Sequence, residues 1–152
     1  MANVNHSALT DPYLHEPKGA STASSGDVYV ANGSGSGAWT SRRSMITAHF
    51  DDISTSSDIY LPMPYAGTIS KIQTTLSGAI TGSDVIFTFY NSAGSSMGTI
   101  TVAQSGSAAG DVDVLTPASN NTTTASDYIR VNCNGGASSH TDLWFVVSVD
   151  GS

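Results

Sequence analysis

Short runs of period-two alternation, broken by turn-forming residues, limit most strongly what this chain can fold into. Such runs occupy Met45 to Phe50, Asp58 to Leu61, Thr68 to Leu76, Asp84 to Tyr90, Gly98 to Ala103, Asp111 to Leu115, Asp127 to Cys133 and Leu143 to Val149. They are rich in β-branched and aromatic residues and are bounded by Gly, Asn, Asp and Ser, which favours strands. Val85, Phe87 and Phe89 fall on one face of their run. Leu143, Phe145, Val147 and Val149 share a face, and Trp144 and Val146 leave the opposite face apolar as well. That second face is expected to meet a neighbour or a subunit. No segment carries a helical period. Eight short strands at this spacing predict an all-β protein: an extended N-terminal arm, then a single antiparallel β-sandwich, jelly-roll-like. Strand order is not written in periodicity and stays open at this point.

The punctuation supports this division. Asn91-Ser92-Ala93-Gly94 reads as a hairpin turn, and Pro62-Met63-Pro64-Tyr65-Ala66-Gly67 as a rigid connector whose prolines remove ladder donors. Ser105 to Gly110 and Ala118 to Ser126 read as polar loops. The 152 residues suffice for one core and an arm. We place the arm at residues 1–44 and the sandwich body at 45–152. Within the arm, Gly33-Ser34-Gly35-Ser36-Gly37 reads as flexible linker.

Charge is unevenly distributed. Asp11, Glu16 and Asp27 balance Lys18, Arg42 and Arg43, so the formal net charge of -7 falls on the body. An acidic body repels DNA and anionic membrane, so neither is an expected partner. No basic segment followed by an apolar run opens the sequence, and no apolar stretch approaches a membrane span, so Sec-type export is not expected.

The residues offer little for catalysis. His6, His15, His49 and His140 show no zinc spacing. His49 beside Asp51 and Asp52 reads as a polar turn rather than a metal site, and Asp111 with Asp113 lacks the EF-hand spacing. Gly33 to Gly37 fits a nucleophile-elbow string without the strand and helix that give it strain. Glycoside hydrolysis uses paired carboxylates, and the sole glutamate, Glu16, lies in the arm. Cys133, the single cysteine, is expected to be a buried small hydrophobe on the face opposite Ile129 and Val131. No enzyme activity, metal or cofactor is expected.

The arm is the candidate binding element. It is dense in Pro, Gly and Ser, yet it carries Tyr13, Leu14, His15, Glu16, Pro17, Lys18, Tyr29, Val30 and Trp39, followed by Arg42 and Arg43. A solvated linker has no use for these anchors. Trp39 either closes the arm onto the body or enters an interface. The arginines suit bidentate contacts to acidic groups of a partner or an adjacent subunit.

The stretch DPYLHEPKGASTASSGDVYVANGSGSGAWT, residues 11–40, resembles a segment near the N-terminus of small virion proteins of tailed bacteriophages, where an HEPKG turn precedes a VYV…GSG-x-W run. The later GTISKIQTTLSGAITGSDVIFTFYNSAG is similar in pattern to the sandwich bodies of phage decoration and fibre proteins. The resemblance implies a capsid decoration, or cement, protein on the outer capsid surface. Its partner would be the major capsid protein, and a homotrimer would supply three arms. The alternative is a short head- or tail-fibre protein whose sandwich binds host carbohydrate through loop aromatics such as Tyr60 and Tyr65.

Overall fold

The computed structural model describes residues 23, 24, 26–34 and 37–151. Within these, all eight expected runs form strands. They are β3 (Arg43–Phe50), β4 (Ser57–Pro62), β5 (Gly67–Leu76), β6 (Val85–Tyr90), β7 (Ser96–Val102), β8 (Val112–Leu115), β10 (Tyr128–Cys133) and β11 (Leu143–Gly151). Three more pieces were not expected: β1 (Val28–Ala31), β2 (Gly37–Thr40) and the short β9 (Thr122–Thr123) inside the second polar loop. The chain divides into two compact units between Arg42 and Arg43.

The second unit is a sandwich of two antiparallel sheets. One has the order β3-β11-β5-β8, with β9 also pairing β5; the other has the order β4-β10-β6-β7. Four antiparallel pairs explain both orders: first strand with last, second with seventh, third with sixth, fourth with fifth. Successive pairs alternate between sheets, and this wrapping is the jelly roll. The fold expectation is met, and the topology is now specified.

Alternation puts the core between the sheets. Ile69, Ile72, Val85, Phe87, Phe89, Ile129, Val131, Leu143 and Val147 are fully buried. Phe50, Phe87, Phe89 and Phe145 form a chain of tilted and edge-on ring contacts with centroids 5.4 to 6.1 Å apart, geometry favoured by the ring quadrupole. Cys133 is buried as expected, but on the same face as Ile129 and Val131. Residues two apart in a strand project to one side, so the expected opposite placement is corrected. Burial pushes its thiol above the ordinary value, which makes it a poor nucleophile.

The edges of both sheets carry features that discourage further pairing. Pro62 closes β4 at an edge. At the β7 edge the register slips between Phe89 and Tyr90. On β8 the alternation is inverted: Val112 and Val114 are exposed while Asp113 is part-buried. An inward carboxylate on an edge strand is a known deterrent to pairing. Its desolvation, and then the neighbouring charge of Asp111, hold the Asp113 carboxyl above the ordinary carboxylate value.

Side chains tie the loops down. In the β6–β7 turn, Gly94 N–H donates to Asn91 O at 2.9 Å, and Asn91 Oδ1 accepts from Ser95 N–H at 2.9 Å, as expected of a hairpin turn. Asn121 Nδ2 donates to Ile69 O at 2.9 Å and to Pro117 O at 3.2 Å. Its own carbonyl accepts from Ile69 N–H at 2.8 Å. Asp127 accepts from Thr124 N–H and Ser92 Oγ, while its carbonyl accepts from Met63 N–H at 2.8 Å. The connector after Pro62 is thereby held against the start of β10, with Met63 buried.

Candidate functional site

Within the first unit the described residues form a hairpin. β1 and β2 pair antiparallel, with Val28 opposite Thr40, Tyr29 opposite Trp39, Val30 opposite Ala38 and Ala31 opposite Gly37. The turn between them begins at Asn32, whose Oδ1 accepts from Ser34 N–H at 2.9 Å, and Gly33 adopts a φ of 76°. Such a conformation suits Gly and would strain most other residues. The expected linker is therefore partly a hairpin connection, with strands on both sides of it.

The two hairpin faces differ. On one, the rings of Tyr29 and Trp39 meet edge-on with centroids 5.3 Å apart. Tyr29 also lies across Gly37: a Cβ there would sit 2.7 Å from its Cε1. Glycine at this position lets the ring lie flat against the second strand. On the other face, Val28, Val30, Ala38 and Thr40 are all exposed. An isolated two-stranded hairpin is marginal in water. This one carries an aromatic clasp and presents an apolar pair, Val28 and Val30, on its second side.

Of the expected arm residues, the structure brings Tyr29 and Trp39 together and places Val30 on the reverse face. Arg42 is exposed beyond the hairpin. Arg43 belongs to β3 of the second unit, where its Nε donates to Asp150 Oδ1 at 2.8 Å. That hydrogen bond, with the charge of Arg43, holds the Asp150 carboxyl below its ordinary value. Arg43 is thus committed within the body rather than offered from an arm. Tyr13, Leu14, His15, Glu16, Pro17 and Lys18 lie outside the described residues. The sequence reading missed the hairpin because each strand has only four residues. The detectable signal was Asn32-Gly33 between Tyr-Val and Ala-Trp, a strong hairpin dipeptide.

The second unit has two contrasting outer faces. On the five-stranded sheet, Trp144, Met45, Val112 and Val114 are exposed, and Trp144 stacks on His49 at 5.9 Å and 11°. Asp150, paired with Arg43, is the one carboxylate at the outward positions of these strands. The second apolar face expected for β11 is present, and it is open. On the four-stranded sheet, the outward residues include Tyr60, Tyr90, Tyr128, Arg130, Asp58 and Asn132. Tyr60 lies inside β4, within the expected Asp58 to Leu61 run, and so on a sheet face rather than among the loop aromatics; Tyr65 is in the connector.

The candidate metal pairs separate. His49 Nε2 contacts Asp51 Oδ1 at 2.7 Å. Asp52 instead accepts from Ser54 N–H and Oγ, both at 2.8 Å. These bonds, with the charge of His140, lower its carboxyl pKa. Among the described residues, no group of three or more His, Cys, Asp or Glu is placed to hold a metal ion. No described helix is long and apolar enough to cross a membrane.

No family model matches the chain, and no curated protein matches it. Among solved structures, one is described as "Bacillus endospore appendages form a novel family of disulfide-linked pili". It is 18% identical, with a TM-score of 0.35, covering 74% of this chain and 90% of that one. Another is described as "Cyanophage Pam1 capsid asymmetric unit". It is 14% identical, with a TM-score of 0.45, covering all of both chains. Likenesses at this level carry no functional argument.

Proposed function

We propose that this chain is a structural component of a phage virion, a decoration protein that binds the assembled major capsid protein lattice through its N-terminal unit. The observation that carries the reading is the hairpin, which clasps itself with Tyr29 and Trp39 and leaves Val28 and Val30 uncovered. It sits in the same segment as the phage-like signature of residues 11–40. The mechanism is binding energy alone, without enzymatic chemistry. A protein that binds only the assembled shell stabilises it by mass action.

In this reading the acidic jelly roll faces outward and keeps a densely displayed protein soluble. Three copies around a local threefold would present three N-terminal units at once, and multivalency would offset the entropy of ordering them. The carboxylate-poor face around Trp144 suits contact between neighbouring copies, since the rest of an acidic body resists close approach. The test is co-sedimentation of purified protein with capsids that lack it, counting bound copies at saturation. Lattice-scale stoichiometry supports decoration. Binding at a unique vertex supports the fibre alternative.

A further inference from the structure

We propose that the outer face of the four-stranded sheet is a binding site for neutral hexose polysaccharide, a function separate from attachment. Its frame is a row across three strands: Tyr60 on β4, Arg130 on β10 and Tyr90 on β6 stand at directly paired positions. The next row sets Asp58, Asn132 and Thr88 side by side in the same way. Sheet register therefore places an aromatic row against a hydrogen-bonding row.

Each row is pre-arranged. The Arg130 guanidinium lies over the Tyr90 ring, 4.1 Å from its centroid, and its Nη1 donates to Asp58 Oδ2 at 3.3 Å. Asn132 Nδ2 donates to Asp58 Oδ1 at 2.8 Å. Each carboxylate oxygen of Asp58 thus takes one bond and keeps further lone-pair capacity, and a guanidinium has five N–H donors to share. Beside them, Tyr60 meets Tyr128 edge-on at 5.4 Å, and both remain open, at 59% and 40% exposure. The Tyr128 hydroxyl donates to Ser92 O at 3.4 Å, which fixes that ring at the loop end.

This combination matches the two sides of a hexose. The C–H-rich face of a pyranose is apolar and packs on an exposed aromatic ring. Its vicinal hydroxyls are paired donor-acceptors, suited to carboxylate, amide and guanidinium groups already hydrogen-bonded to one another on this face. Charge selects the neutral class. Asp58 and Arg130 cancel within the patch, so an anionic sugar gains no counter-charge there and meets the repulsion of a chain at net -7. A rigid strand-borne site also loses little entropy on binding.

The test is affinity electrophoresis of the full chain through gels containing dextran, mannan or soluble starch, with chondroitin sulfate as the anionic comparison. The proposal expects retardation by at least one neutral polymer. It expects that affinity to fall at least roughly tenfold in Tyr60→Ala and in Asn132→Ala, and to persist in Tyr60→Trp and in Trp144→Ala on the opposite sheet. Tyr60 and Asn132 face outward, and thermal unfolding of each variant separates loss of the site from loss of the fold. Absence of retardation by every neutral polymer overturns the proposal. So does retention of affinity in folded Tyr60→Ala, or equal retardation by chondroitin sulfate.

Discussion

Asn121 joins Ile69 through both its side chain and its main chain, and joins Pro117 as well. Removing the amide leaves part-buried carbonyls without a donor. We expect Asn121→Ala to cost about 1–3 kcal/mol, read by urea unfolding as a lower midpoint at unchanged slope. Gly98 carries a φ of 139°, and a Cβ there would stand 2.7 Å from Leu115 Cδ1. Gly98→Ala therefore adds backbone strain to a collision between β7 and β8, and is expected to cost roughly 2 kcal/mol or more. Asp113 has the opposite sign. Its folded pKa is raised, so its contribution is most favourable below the ordinary carboxylate value of 3.8 and is lost as pH rises through the folded value. Asp113→Asn should accordingly raise the thermal midpoint at neutral pH, and that gain should shrink as pH falls through the raised folded value and be gone below the ordinary 3.8. A variant less stable than the parent at neutral pH would contradict the assignment. None of these three roles was legible in the sequence: Asn121 and Gly98 depend on Ile69 and Leu115 elsewhere in the chain, and Asp113 on the inward placement of its side chain on an edge strand.

Strands were the most legible elements. Runs such as Val85 to Tyr90 pair a strict alternation with β-branched and aromatic residues, and their ends fell within two residues of the expected ones. β8 shows where the pattern misleads: Val112 and Val114 alternate like core residues yet face outward, because an edge strand answers to edge protection as well as to burial. The hairpin of β1 and β2 was missed for a related reason, as four-residue strands give too little periodicity to outweigh the surrounding Gly and Ser. Its consequence is testable. Trp39→Ala removes the ring that clasps Tyr29, so capsid affinity should fall by roughly 2 kcal/mol or more, while the thermal midpoint of the body should stay near that of the parent. Unchanged affinity would remove Trp39 from the binding surface.

At the scale of the molecule, periodicity supplied the sandwich and long-range pairing supplied its order. β3 meets β11 across almost the whole body, Arg43 with Asp150 at one end and Phe50 with Leu143 at the other. Nothing local in either strand specifies that closure; it follows from packing two amphipathic sheets face to face. The proposed function divides along the same lines. The acidic body is a jelly roll with two unlike outer faces, and the N-terminal unit carries a hairpin with an uncovered apolar side. The account's central claim is that the N-terminal unit attaches the protein to the shell. It is tested most directly by deleting residues 1–40 and measuring co-sedimentation with capsids lacking the protein, beside the full chain. The account predicts saturable, lattice-scale binding for the full chain, and none for a truncated body that still unfolds cooperatively. Full binding by the truncated body would contradict it.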